Sequence, residues 1–148
     1  MTAFTDTNIP TYARGAPSEF KNPCIEILRL AALAPGACFT NAQVLQELFH
    51  VRLRRLGLAA AREAVTGFDA VLAGHVVAVE RGDILAAARL DVGPALGGAD
   101  RVHLAVMQRL GVTGIISTDK KFDGVPGIRR LDPLDLARWR DAIFPPRR

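Results

Sequence analysis

Four carboxylates, Asp6, Glu47, Asp100 and Asp119, stand where acids can do chemistry, and each also has a quieter role open to it. Asp6 lies in FTDTNIP, where Asp, Thr and Asn bond nearby backbone and a turn would account for it. Glu47 shares a helical face with Val44 and Val51, beside the stripe Val44, Leu45, Leu48 and Phe49 expected to be buried. A carboxylate against apolar side chains costs free energy unless a cation or donors satisfy it; otherwise Glu47 is a boundary residue with its head in water. Asp100 opens a helix, where free N–H groups and the dipole favour an acid, and Gly97-Gly98 before it lets backbone approach closely. Asp119 ends the hydrophobic run GIIST and precedes Lys120 and Lys121. Asp123 is an additional candidate, although Gly124 and Pro126 also make it a turn residue.

Bare carboxylates gathered in one crevice repel, and their pKa values rise. A divalent cation removes that cost. Mg²⁺ prefers octahedral oxygen and keeps several waters, so it suits two or three carboxylates together with a substrate phosphate. Such an ion improves a water as nucleophile and neutralises charge building on a phosphate, and a second ion could hold the leaving oxygen.

Helices and strands alternate along the chain. Thr2–Thr5 and Ala37–Thr40 read as short strands. Asn22 reads as the cap of a helix with Pro23 at its first position, ending at Pro35-Gly36. Asn41 starts a second helix closed by Gly57, and a third covers about Ala59–Leu72. His75–Val79 reads as a buried strand by its β-branched content. Helices follow over Asp83–Leu90 and from Asp100 to Gly111, then the strand GIIST. A strand near Ile128–Leu131 and a helix over Leu134–Ile143 finish the chain, with Asp132 and Asp135 as cap and first turn. This order predicts one α/β domain over residues 1–148, with a mainly parallel sheet. In such sheets, sites form outside the carboxyl ends of the strands, where Asp6 and Asp119 are placed.

Composition bounds the answer. Hydrophobic residues make up 49% and charged residues 23% of the 148, which excludes a disordered chain. No apolar run is long enough to span a bilayer, and MTAFTDTN lacks a basic segment followed by an apolar one, so the expected location is the cytoplasm. Cys24 and Cys38 read as buried reduced thiols, and with His50, His75 and His103 they show no zinc-type spacing. The net charge of +4 weakly favours a polyanionic partner. The basic residues fall in groups: Arg52, Arg54 and Arg55; Lys120 and Lys121; Arg129 and Arg130; Arg147 and Arg148. A solvated face is the plain explanation of each group.

DTN at 6–8, Glu47 after FTNAQVLQE, GGADRVHLAVMQRLG and ISTDKKFDGVPGIRRLDP together resemble a PIN domain of the VapC-like ribonuclease toxin type. The resemblance covers nearly the whole chain, and the C-terminal segment is its most specific part. It implies a three-layer sandwich, with helices around a mainly parallel sheet, and acids that bind Mg²⁺ or Mn²⁺ to cut RNA by hydrolysis. It makes Asp6, Glu47, Asp100 and Asp119 the catalytic acids. Asp6, Asp100 and Asp119 become metal ligands with Asp123 as a further candidate, and Asn8 holds the first acid. Ser117 stands where the family often has Thr and keeps a hydroxyl near the site. Its implied partners are RNA, a small antitoxin bound between the early helices, and a second copy of the chain, since family members commonly dimerise. Proximity to the acids makes Arg52, Arg55, Arg101, Lys120 and Lys121 the candidate phosphate contacts, with Arg54 in the same group.

Two other classes are open to such a chain. A non-catalytic PIN-like RNA- or protein-binding module would keep the fold and lose acids, whereas all four are present. A phosphatase of the haloacid-dehalogenase type would carry an acid pair two residues apart after its first strand, and here Asn8 follows Asp6.

Overall fold

Strand β1 (Ala3–Thr5) is buried along its whole length and lies at the centre of the sheet. In the computed structural model, which describes residues 1–146, it is joined by β2 (Cys38–Asn41), β3 (Val76–Val77), β4 (Gly114–Ile116) and β5 (Arg129–Leu131). All pairings are parallel and the spatial order is β3-β2-β1-β4-β5. Arg147 and Arg148, one of the basic groups, lie outside the described residues.

Helices make the crossovers that parallel strands require. α1 (Asn8–Arg14) and α2 (Lys21–Leu33) connect β1 to β2, and α3 (Ala42–Leu56) and α4 (Leu58–Val71) connect β2 to β3. α5 (Arg81–Arg89) and α6 (Gly98–Leu110) lead back to β4, and α7 (Leu136–Ile143) follows β5. The winding runs outward from β1 to β3, then reverses to β4 on the other side of β1. Right-handed crossovers then place α1–α4 on one face and α5–α6 on the other, giving the three layers. The helix contacts follow that division: α1 on α2, α2 and α3 on α4, and α5 on α6. Phe4, Ile27, Leu48, Met107 and Ile115 fill the core between the layers.

The reversal leaves a crevice at the carboxyl ends of β1 and β4. Thr5 pairs with Ile116, and the N–H of Asp6 donates to the Ile116 carbonyl at 3.0 Å. The first residues beyond both strands therefore lie side by side.

Several local expectations shift. α1 is a helix in a stretch that reads as a turn; Pro10 is its third residue, within the first turn, where its missing N–H breaks no bond. α2 starts at Lys21, so Pro23 is likewise third and Asn22 is not the cap. β3 has two residues, and both are half-buried, because it is the sheet's edge. Phe49 is exposed, whereas Val44 and Leu48 are fully buried. α6 begins at Gly98, so Asp100 is third in its first turn. Asn41 does cap α3, its Oδ1 accepting from the N–H of Val44 at 3.0 Å. Cys24 and Cys38 are free and buried, and burial pushes both thiols up to about 12.

Candidate active site

Asp6 is nearly sealed from water, 5% exposed, at the end of β1. Its Oδ1 accepts the N–H of Thr7 at 2.8 Å. Its Oδ2 accepts the Asn8 amide at 3.0 Å and the Ser117 hydroxyl at 2.6 Å. Ser117 Oγ also accepts from Asn8 Nδ2 at 3.1 Å and from the N–H of Asp119 at 3.0 Å. Asn8 Oδ1 accepts the N–H of Thr118 at 3.1 Å. Asn8 and Ser117 thus tie the loop after β1 to the loop after β4 and fix the Asp6 carboxylate between them. A carboxylate offers about four lone-pair positions, so one on Oδ1 is left for a ligand.

Asp100 comes to the same place from the first turn of α6. Carboxylate oxygens of Asp6 and Asp100 and a ring nitrogen of His103 all lie within 4.8 Å of one another. Burial pushes the Asp100 carboxyl up to about 6, helped by the charges of Asp6, Asp119 and Glu47 and opposed by His103. Burial also raises Asp6, against hydrogen bonds from Ser117 and Thr7. Two acids whose charged forms burial disfavours would both be stabilised by a divalent cation between them.

The other acids divide. Asp119 stands outside the tight group because its Oδ1 caps a short 3₁₀ turn, accepting the N–H of Lys121 at 3.0 Å, yet its charge still bears on Asp100. Glu47 reaches the crevice from α3, with Oε2 accepting the Thr7 hydroxyl at 2.8 Å and Oε1 3.2 Å from His103 Nε2. Asp123 does not join the cluster. Arg130 grips it through both oxygens at 2.7 and 3.2 Å, and that partner holds its pKa below the usual carboxylate value. Among the described residues it is paired with Arg130 and is not in the group formed by Asp6, Asp100 and His103.

Among the basic residues, Lys120 and Lys121 are exposed directly after Asp119, and Arg55 is exposed in the last turn of α3. Arg54 is seven residues beyond Glu47, on the same face of α3 and about 10 Å along it. Arg52 is half-buried and donates to the Thr11 carbonyl of α1 at 3.3 Å. Arg101 is redirected: its Nε, Nη1 and Nη2 donate to the carbonyls of Leu96, Leu90 and Gly93. The side chain pins the loop before α6, and its donors face backbone rather than the crevice. An apolar cavity of about 320 Å³, lined by Leu104, Val112 and Ile128 among others, opens at the amino end of β4, away from all four acids.

His103 is the residue the sequence reading left out. It fits no zinc-type spacing, yet it follows Asp100 by three and so shares its helical face. The cluster suits a hard cation: two carboxylates with raised pKa, oxygen donors, and buried polar atoms at Glu47 Oε1 and His103 Nε2 that no aligned hydrogen bond satisfies.

Residues 3–128 match the PIN domain family. The chain is 36% identical over 132 residues to VapC ribonuclease Mb1869c of Mycobacterium bovis and to Ribonuclease VapC13 of Mycobacterium tuberculosis, covering 85% of this chain and 96% of each relative. Among solved structures, the fold resembles VapBC2 from Rickettsia felis bound to a promoter DNA fragment, with TM-score 0.70, 17% identity and coverage of 89% and 98% of the two chains. It also resembles the sarcin-ricin-loop-cleaving toxin VapC20 of Mycobacterium tuberculosis, with TM-score 0.62, 23% identity and coverage of 86% and 99%. The protein belongs to the PIN-domain family, within it to the group of VapC ribonucleases.

Proposed function

We propose that the protein is a metal-dependent endoribonuclease and the toxin of a toxin–antitoxin pair, acting in the cytoplasm through one PIN-like domain over the whole chain. The observation that carries this is the convergence of Asp6 and Asp100, both short of positive charge, at the crevice between β1 and β4. The family and the names of the relatives supply the reaction class.

Asp6 and Asp100 would hold the cation, with Asp119 and Glu47 beside them. Bound Mg²⁺ or Mn²⁺ would lower the pKa of a water and offset charge on the phosphodiester. Asn8 and Ser117 keep Asp6 in one orientation by occupying the oxygen positions that face the protein. Lys120, Lys121, Arg54 and Arg55 meet the RNA backbone on either side, which makes binding salt-dependent. Arg52 contributes less, since one of its donors is engaged by α1.

An antitoxin finds apolar ground on the outer side of α3 and the start of α4, where Phe49, Leu53, Leu56 and Leu58 are 37%, 40%, 61% and 45% exposed. Side chains of that size in one exposed strip mark an interaction surface. A structure of similar fold, a toxin–antitoxin complex from Klebsiella pneumoniae, supports such a partner, and a homodimer is part of the same reading. Among the described residues, no helix is long and apolar enough to cross a membrane.

RNA sequencing of cleavage ends tests the proposal. The expected products carry 5′-phosphates, appear only with Mg²⁺ or Mn²⁺, and disappear in folded Asp6→Asn and Asp119→Asn proteins. Activity retained by both variants, or ends that are all 2′,3′-cyclic phosphates, defeats it.

A further inference from the structure

We propose that His103 is a positioning residue whose Nε2–H orients Glu47, and that Asn41 sets the tautomer that makes this possible. The inference rests on the ribonuclease reading for its role in catalysis, but its geometry stands apart from that reading.

The Asn41 side chain has a fixed orientation. Its Oδ1 is committed to the N–H of Val44 at 3.0 Å as the cap of α3, so its Nδ2 faces outward. That Nδ2 lies 3.0 Å from His103 Nδ1, and both residues are completely buried. An amide NH₂ only donates, so Nδ1 must be the bare, accepting nitrogen. The ring proton is then on Nε2. The imidazole is fully buried and packs on Phe4, with ring centroids 5.1 Å apart.

Nε2 stands 3.2 Å from Glu47 Oε1, without the alignment of a hydrogen bond. Neither atom has another hydrogen-bond partner among the described residues. Glu47 Oε2 is held on its far side by Thr7. A buried donor and a buried acceptor that close, each otherwise unsatisfied, gain from a small rotation of the carboxylate. Thr7 and His103 then clamp Glu47 at both oxygens, on the rim of the Asp6–Asp100 cluster. A nitrogen that carries a proton has no lone pair to give, so His103 is a neighbour of the cation and not its ligand. A bound Mg²⁺ or Mn²⁺ would then be held by carboxylate oxygens alone among the side chains of Asp6, Asp100 and His103. One capping residue at the end of β2 thus settles the chemistry of a ring 62 positions later.

The experiment begins with the protein labelled at histidine with ¹⁵N and free of metal. Long-range ¹H–¹⁵N correlation is expected to show His103 with a pyrrole-type Nε2 and a pyridine-type Nδ1. Asn41→Asp keeps an N-cap of equal quality but replaces the donor with an acceptor. It is expected to move the proton to Nδ1 and to lower kcat on RNA about 10- to 100-fold with KM little changed. His103→Gln, which can still donate near the Nε2 position, should retain more activity than His103→Leu at matched Tm. Pulsed EPR of the Mn²⁺-loaded protein should show no nitrogen bound to the ion. A proton on Nδ1 in the wild type, a coordinated nitrogen, or unchanged tautomer and kcat in Asn41→Asp each overturns the assignment. Absence of RNA cleavage by the wild type removes the ribonuclease reading instead, and the tautomer spectra still decide the role of His103.

Discussion

Asp6 and Asp83 are both almost sealed from water, and their surroundings are opposite. Asp83 lies in the first turn of α5, gripped by Arg109 of α6 at 2.8 and 3.0 Å, and it accepts the N–H of Glu80 at 2.8 Å. Its hydrogen bonds to Arg109 hold its pKa below the usual value, and it fastens one helix to the next. Asp6 has hydroxyl, amide and N–H donors but, among the described residues, no lysine or arginine partner, and burial raises its pKa. Asp123 and Asp132 likewise pair with an arginine, Arg130, while burial raises the pKa of Asp100 as it does that of Asp6. Burial alone therefore does not mark a functional acid. The mark is burial without a cation supplied by the chain, which leaves the positive charge to come from outside.

Opposite responses to the same substitution probe this contrast most strongly. At pH 7.5 without metal, Asp83→Asn should lower Tm by about 5 °C, because it leaves the Arg109 guanidinium without its charged partner. Asp100→Asn should raise Tm, since it removes a desolvated charge that Asp6, Asp119 and Glu47 all repel. Thermal denaturation of both proteins gives the answer, and a fall in both would erase the distinction.

The pH dependence of stability sharpens it next. Asp100 binds its proton more tightly in the folded chain, about 6 against an ordinary 3.8. Its folded form is favoured at low pH, and metal-free stability should decline as pH rises from about 4 to about 6. Asp83 has the reverse sign: its contribution is full above 3.8 and is lost as pH falls through its lowered folded value. Denaturant midpoints of wild type and Asp100→Asn across this range should differ in slope only between about 4 and 6.

The smallest effect belongs to Asp123→Asn. Its pair with Arg130 is solvent-exposed on the Asp123 side, so Tm should change by about a degree or less, and RNA cleavage should stay within about twofold. A large loss of cleavage would return Asp123 to the metal site.

Local chemistry made much of the site readable before any coordinates. Asp6 and Asp119 follow hydrophobic strand residues, and the alternation of elements is enough to bring the carboxyl ends of parallel strands to one rim. Asn41 and Gly57 announce α3 through capping rules alone. What stayed hidden depends on contacts distant in sequence. Arg130 lies seven residues beyond Asp123, and nothing local says that it turns back to grip it. Arg101 reads as a basic residue beside an acid, but three carbonyls of the preceding loop claim it. α1 is short and carries Pro and Thr at its third and fourth positions, so its apolar stripe, Ile9, Tyr12 and Ala13, is too brief to stand out. His103 is legible too, because its spacing of three from Asp100 places both on one face of α6.

Titration calorimetry with Mn²⁺ at pH 7.5, comparing the wild type with Asp100→Asn, tests the central claim most directly. Saturable binding by the wild type and its loss in the folded variant is the predicted result. Equal affinity in the two proteins would show that the crevice between β1 and β4 is not where the cation sits.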